Sequence, residues 1–332
     1  MNKNHITFAE ALRDTLREEL VRDPNIIIIG EDILNLDRER QAVAGDIGDT
    51  FPHRVLNHLP LVEEMLGGIG LGLSFKGLKP IIQLDYSTFL TLMFGDIHRI
   101  GTWRYRMFEK SGPGIVFRVG HEGYTGKGAE LTTSFLGAIF HFPNIRIVIP
   151  SQPYYAKGLL RTALRSGEPV IFFEHKKLYE MTDGPELPEE DYTLPFGLSP
   201  IFRHGNDITL IAWGYTSCLA LQAAEALAKK GIQTEVIVPQ TLHPLNMEPI
   251  FASAEKTRAI VVIEEDMLRG GIGAEICARI AEKSSGYQIQ RIAAKNTSFP
   301  TGKKLEEPFL PTTPEIIRVC EEIVKRKPWR LW

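Results

Sequence analysis

The stretch "NHLPLVEEMLGGIGLGLSFKGLKPIIQLDY", residues 57–86, decides the fold class. Its second part, "KPIIQLDY" (79–86), is a near-continuous apolar run. Strands buried on both faces of a parallel sheet read this way, whereas half-exposed strands alternate. Its first part reads as a helix behind Pro60 that carries Gly67, Gly68, Gly70 and Gly72 within a few turns. Glycine costs roughly 1 kcal/mol relative to alanine in a helix interior, so a helix thinned in this way is built for close approach. At its mouth stand Glu63 and Glu64. Taken alone, an acid in a first turn is what the helix dipole favours, worth ~0.3–1 kcal/mol.

Outward from that stretch the same rhythm repeats. "NIIIIGED" (25–32), "GIVFRVG" (114–120), "IRIVIPS" (145–151) and "PVIFFEH" (169–175) are further apolar strands. Helical patterns over 7–22, 61–75, 88–109 and 153–166 lie between them. The stretch 183–206, rich in proline, glycine and acids, breaks the pattern. Strands then return at 207–214, 233–239, 259–266 and 289–294, separated by amphipathic helices and closed by "PEIIRVCEEIVKRK". The expectation is an α/β protein with parallel strands and crossover helices on both faces. Its domains are expected at 1–185 and 207–332, the second smaller, with a linker over 186–206.

Composition excludes several classes. The 332 residues are 43% hydrophobic and 24% charged with a net charge of −3, and no lysine/arginine block offers itself to nucleic acid. Cys218, Cys277 and Cys320 are far apart and lack metal spacing, as expected of reduced thiols in a cytoplasmic protein. "MNKNHITFAEALRDTL" passes straight into an amphipathic helix, and no apolar run is long enough to span a membrane.

Two glycine-rich loops fail as phosphate cradles. In "GYTGKGAELTTS" (123–134) Gly126-Lys127 is followed by Gly128 rather than by serine or threonine, which breaks the P-loop pattern. "EEDMLRGGIGAEI" (264–276) lacks dinucleotide spacing and reads as a helix start packed on another backbone. The histidines His53, His58, His98, His121, His141 and His243 each read singly as surface or satisfied core residues. His121 follows an apolar strand, and the carboxyl ends of parallel strands are where open α/β sheets bind ligands.

Several ordered segments resemble the β subunit of the thiamine diphosphate-dependent decarboxylase component of 2-oxo acid (pyruvate and branched-chain) dehydrogenases, within the transketolase-like superfamily. They include "ITFAEALRDTLREELVRDPNIIIIGED", "LPLVEEMLGGIGLGLSFKGLKPIIQ", "PVIFFEHKKLYE", "AWGYTSCLALQAAEAL", "EVIVPQTLHPL", "VVIEEDMLRGGIGAEI" and "KKLEEPFLP". The resemblance implies a pyrimidine-binding domain followed by a smaller transketolase C-terminal-like domain. It implies that Glu63, or Glu64 if the register slips by one, hydrogen-bonds a ring nitrogen of the aminopyrimidine and favours the tautomer that generates the ylid. A carboxylate buried against an apolar cofactor has its pKa raised and can share a proton with such a nitrogen. Phe89 in "DYSTFLTL" matches the aromatic that stacks on the pyrimidine, and Tyr105 in "WRYRM" a tyrosine near the site.

Two absences refine the expectation. The Gly-Asp-Gly motif that holds magnesium and the diphosphate in this superfamily is missing, since "GDI" at 45–47 and 95–97 lacks the second glycine. Mg2+ is therefore expected on an α-type partner, in an α2β2 assembly that hands its acyl group to a lipoylated acyltransferase core. The family's active-site histidine falls on Leu131, which cannot transfer a proton. His121 reaching in, Glu130 substituting, a reaction without that proton, and loss of catalysis all stay open. Accordingly the leading reading, a 2-oxo acid dehydrogenase subunit, has two rivals: a split transketolase-like, acyloin-forming or acyl-transferring thiamine diphosphate enzyme, and a non-catalytic assembly subunit.

Overall fold

The computed structural model describes residues 6–30, 43, 46–56, 62–106, 114–283 and 285–325. It divides into two compact units. The first comprises 1–122, 140–196 and 241–244, the second 123–139, 197–240 and 245–332.

The first unit is built on a seven-stranded sheet ordered β10-β5-β6-β4-β3-β1-β2. Its strands are β1 (Ile26–Gly30), β2 (Val55–Leu56), β3 (Lys79–Leu84), β4 (Val116–His121), β5 (Arg146–Val148), β6 (Val170–His175) and β10 (Thr241–His243). All pair parallel except β10, which runs antiparallel to β5. Every residue of β4 and of β6 is buried, which is why these runs read as continuously apolar rather than alternating. The helix Phe8–Arg22 packs along the helix Pro153–Ser166. Its start is fixed by a capping box, Glu10 accepting from the Thr7 amide at 2.7 Å and Thr7 Oγ1 from the Glu10 amide at 3.2 Å.

The glycine-rich helix runs Glu63–Phe75. A Cβ on Gly70 would lie 2.6 Å from Ile82 Cδ1 of β3, and one on Gly67 would lie 2.7 Å from Asp96 Cβ. Two of the four glycines thus serve contact inside the chain. Nothing among the described residues lies within 4 Å of a Cβ added at Gly72.

The second unit holds a five-stranded sheet ordered β12-β11-β8-β9-β7. Its strands are β7 (Ile201–Arg203), β8 (Ile208–Ala212), β9 (Thr234–Ile237), β11 (Ala259–Met267) and β12 (Gln288–Ala294). Only β7 is antiparallel, on β9. Leu210, Val236, Val261 and Ile263 pack with Ala223 and Leu227 of the helix Thr216–Ala228 and Ile316 of the helix Thr313–Lys325.

Three elements depart from the sequence reading. The run 88–109, expected as one helix, opens with the 3-10 turn Ser87–Met93 before the helix Phe94–Arg106. Within that turn Thr91 Oγ1 donates to the Thr88 carbonyl at 2.7 Å, a local bond that competes with regular helix. Strand β7 lies inside the stretch that breaks the α/β rhythm, and β10 joins the first sheet from far along the chain. Both are three-residue edge strands, too short to show a period.

Candidate functional site

In the first sheet β6, β4 and β3 are neighbours, so their carboxyl ends form one edge. Strand β3 passes through Asp85 and Tyr86 into the turn Ser87–Met93, on which Phe89 sits half-buried. Strand β4 ends on His121 and is followed by Glu122, while β6 ends on His175 and is followed by Lys176. The register pairs His121 directly with His175, and their rings lie 5.3 Å apart at 65°.

Each polar group here has a definite role. His121 is 1% exposed, and its Nδ1 lies 3.1 Å from Ser87 Oγ. His175 Nδ1 accepts from the Lys177 amide at 3.2 Å. Glu122 and Lys176 form an ion pair with side chains 0% and 8% exposed. The Lys176 ammonium stands 4.6 Å from the centre of the Tyr86 ring, and Tyr86 meets Phe89 edge-on at 5.3 Å and 72°. One residue earlier along β6, Glu174 accepts two bonds from Arg118, 2.5 Å from Nε and 2.7 Å from Nη2. The Tyr179 hydroxyl donates to the same carboxylate at 3.1 Å. Burial first, and then the Glu174 charge, push the Tyr179 phenol well above its usual range.

Glu63 is the first residue of its helix and half-buried; Glu64 beside it is exposed. That helix packs on the turn carrying Phe89. The Glu63 carboxylate has no hydrogen bond or ion pair among the described residues. On β3 and the turn, Gln83 Oε1 and Thr88 Oγ1 are buried oxygens with no hydrogen-bond partner among the described residues. A carboxylate with no partner among the described residues, an orphan amide oxygen, an orphan hydroxyl and a half-buried aromatic ring suit a flat heteroaromatic group that brings its own N–H donors. A thiamine pyrimidine has that chemistry. Tyr105 lies in the helix Phe94–Arg106, but its side chain is outside the described residues, as is Pro60.

The remaining candidates fall elsewhere. Leu131 is half-buried and Glu130 exposed on the short helix Ala129–Thr132. His53, His98 and His141 are exposed, and His243 Nδ1 is bonded to the Ile145 carbonyl; His58 lies outside the described residues. In the "GGIG" loop, a Cβ on Gly271 or Gly273 would lie 2.7 or 2.4 Å from Glu264 Oε1. The Gly273 amide donates to that carboxylate at 2.9 Å, so the loop receives a side chain of its own unit. The three cysteines are free thiols, and burial pushes Cys277 up to about 11 and Cys320 up to about 12.

Sequence reasoning missed Tyr86, Ser87, His175, Lys176 and Glu122. The available signal was that two predominantly apolar runs both end on charged or imidazole side chains, "RVGHE" and "FFEHK".

Two domain families match the chain: transketolase, pyrimidine binding domain, over residues 4–182, and transketolase, C-terminal domain, over residues 197–316. The chain is 33% identical to the β subunit of acetoin:2,6-dichlorophenolindophenol oxidoreductase of Bacillus subtilis, covering 96% of this chain and 97% of that one. The same organism's 2-oxoisovalerate dehydrogenase subunit beta is also 33% identical, over 96% of this chain and 99% of its own. Its pyruvate dehydrogenase E1 component subunit beta is 32% identical over the same shares. Among solved structures, a split-gene transketolase described as an inactive beta4 tetramer superposes with a TM-score of 0.75 at 21% identity, covering 97% of this chain and 99% of that one. A transketolase from Leishmania mexicana superposes with a TM-score of 0.73 at 16% identity, over 99% of this chain and 47% of that one. At those identities the solved structures speak for the fold alone.

Proposed function

We propose, because this chain belongs to the transketolase-like family, in the branch of the pyruvate, acetoin and 2-oxoisovalerate dehydrogenase β subunits, that it supplies the pyrimidine half of a thiamine diphosphate site. The observation that carries this reading is Glu63: a half-buried carboxylate at a helix mouth with no partner among the described residues, on a helix packed against the turn of Phe89. When bound, the cofactor supplies the carbon nucleophile and electron sink for decarboxylation of a 2-oxo acid. Glu63 would share a proton with a pyrimidine ring nitrogen, and Phe89 would hold the ring plane. Tyr105 is carried into this reading by the resemblance alone, as a tyrosine near the ring. His121 is the candidate proton carrier, a ring 1% exposed whose Nδ1 lies 3.1 Å from Ser87 Oγ.

The diphosphate and its Mg2+ belong on an α-type partner, since magnesium wants phosphate and carboxylate oxygens in an octahedral set and the chain lacks the Gly-Asp-Gly motif. The assembly is α2β2, it works in the cytoplasm, and its product is an acyl group passed to a lipoyl carrier on an acyltransferase core. No helix among the described residues is long and apolar enough to cross a membrane. Leu131, standing where the family carries a histidine, favours one second reading: transfer of a ketol or acyl unit to a carbonyl acceptor, without carbon dioxide release as the readout.

The test is Glu63→Gln in the chain assembled with its α-type partner. Turnover should fall ~100-fold or more, as for loss of a positioned proton-sharing group, with assembly unchanged. Full activity in that variant would remove Glu63 from the account.

A further inference from the structure

The candidate site leaves one buried charge without a task. Lys176 follows the last residue of β6, its side chain is 8% exposed, and it is held by Glu122 from the end of β4. Lysine is rarely buried to this extent without a specific partner. An ion pair in such a place is no gain in itself, because desolvation offsets most of the attraction. What distinguishes Lys176 is its other neighbour, the face of Tyr86, 4.6 Å from the ammonium. The sequence makes room for it: a Cβ on Gly120 would lie 2.6 Å from Lys176 Cε and 2.2 Å from the Asp85 carbonyl.

We propose that Lys176, held by Glu122, is a positioning residue that fixes Tyr86 and through it the plane of Phe89 for a heteroaromatic ligand. The contacts form a chain. Glu122 holds the ammonium, the ammonium lies over the Tyr86 ring, and the Tyr86 edge meets Phe89 at 5.3 Å and 72°. Tyr86 is buried, whereas Phe89 is half-buried and is the member of the chain that keeps exposed surface. A cation over an aromatic face and an edge-on aromatic pair are both directional, so together they select one ring orientation where simple apolar packing would allow several. Three strand ends far apart in sequence converge on that single ring.

This rests on the reading of Phe89 as the pyrimidine-stacking residue, and its test separates the two. Thiamine diphosphate with Mg2+ is titrated calorimetrically into the assembled α-type/β pair, and kcat is measured in parallel. The variants are Tyr86→Leu, Tyr86→Phe, and the double variant Glu122→Gln with Lys176→Met, which removes both buried charges together and so leaves neither unpaired. The expected result is a loss of cofactor affinity of about tenfold in Tyr86→Leu and in the double variant, the scale of one lost aromatic or cation–aromatic contact. Tyr86→Phe, which keeps the ring, retains wild-type affinity, and kcat at saturating cofactor changes less than the affinity. Affinity unchanged in the double variant overturns the proposal, even if Tyr86→Leu fails to fold. A wild-type pair that binds no thiamine diphosphate overturns instead the reading of Phe89 on which it stands.

Discussion

The Arg118–Glu174 pair gives the sharpest energetic prediction. Both side chains are sealed from solvent, at 1% and 0% exposure, and joined by two bonds of 2.5 and 2.7 Å. The Tyr179 hydroxyl adds a third bond to the same carboxylate. Glu174→Gln preserves the shape and removes the charge, leaving a guanidinium buried with no counter-ion. Breaking one side of such a pair costs about 3–5 kcal/mol, out of a total stability of roughly 5–15 kcal/mol. A chain of two units need not unfold in one step, so the assay is amide hydrogen exchange read peptide by peptide. Protection in the peptides spanning β4 and β6 should fall by about a hundredfold or more, at about tenfold per 1.4 kcal/mol. Replacing both partners, Arg118→Met with Glu174→Leu, should restore protection, because the cost lies in the orphaned charge rather than in the lost contact. Protection in Glu174→Gln within threefold of wild type would refute the reasoning.

Gly70→Ala should destabilise the first unit by about 1–3 kcal/mol, since its Cβ has to displace Ile82 Cδ1 from 2.6 Å. Gly72→Ala should stabilise the same helix by up to about 1 kcal/mol, because its Cβ meets nothing among the described residues; equal effects from the two, read by urea midpoint, would contradict the packing. Burial pushes Glu264 up to about 8, with the Asp266 charge adding to it and the Gly273 amide opposing. A folded pKa raised above its unfolded value of 4.5 gives stability that is present below that value and lost as pH rises through about 8. Glu264→Gln should therefore flatten the fall in thermal midpoint between pH 5 and pH 8.5, and a slope identical to wild type would count against it.

Much of the fold was legible because the decisive strands are buried on both faces, so "KPIIQL", "VFRVGH" and "VIFFEH" carry no alternation to confuse with helix. Strand β10 was not legible: three residues beside Pro244 have no period, and their pairing with β5 is made only in the tertiary fold. The turn Ser87–Met93 was hidden inside a helical pattern because its threonine bonds leave no mark on apolar spacing. Among the site residues, Glu63 and Phe89 were nominated by resemblance alone. Lys176, Glu122 and Tyr86 could not be, since each is an ordinary residue at a strand end until the parallel register brings the three together.

The most direct test of the central claim is carbon dioxide release by this chain, alone and after assembly with an α-type subunit carrying the Gly-Asp-Gly motif. Thiamine diphosphate, Mg2+, a panel of 2-oxo acids and an artificial electron acceptor complete the assay. The account predicts release from the pair and none from either chain singly. Release by this chain alone, or a stable cofactor-binding pair that releases nothing from any 2-oxo acid, would contradict it.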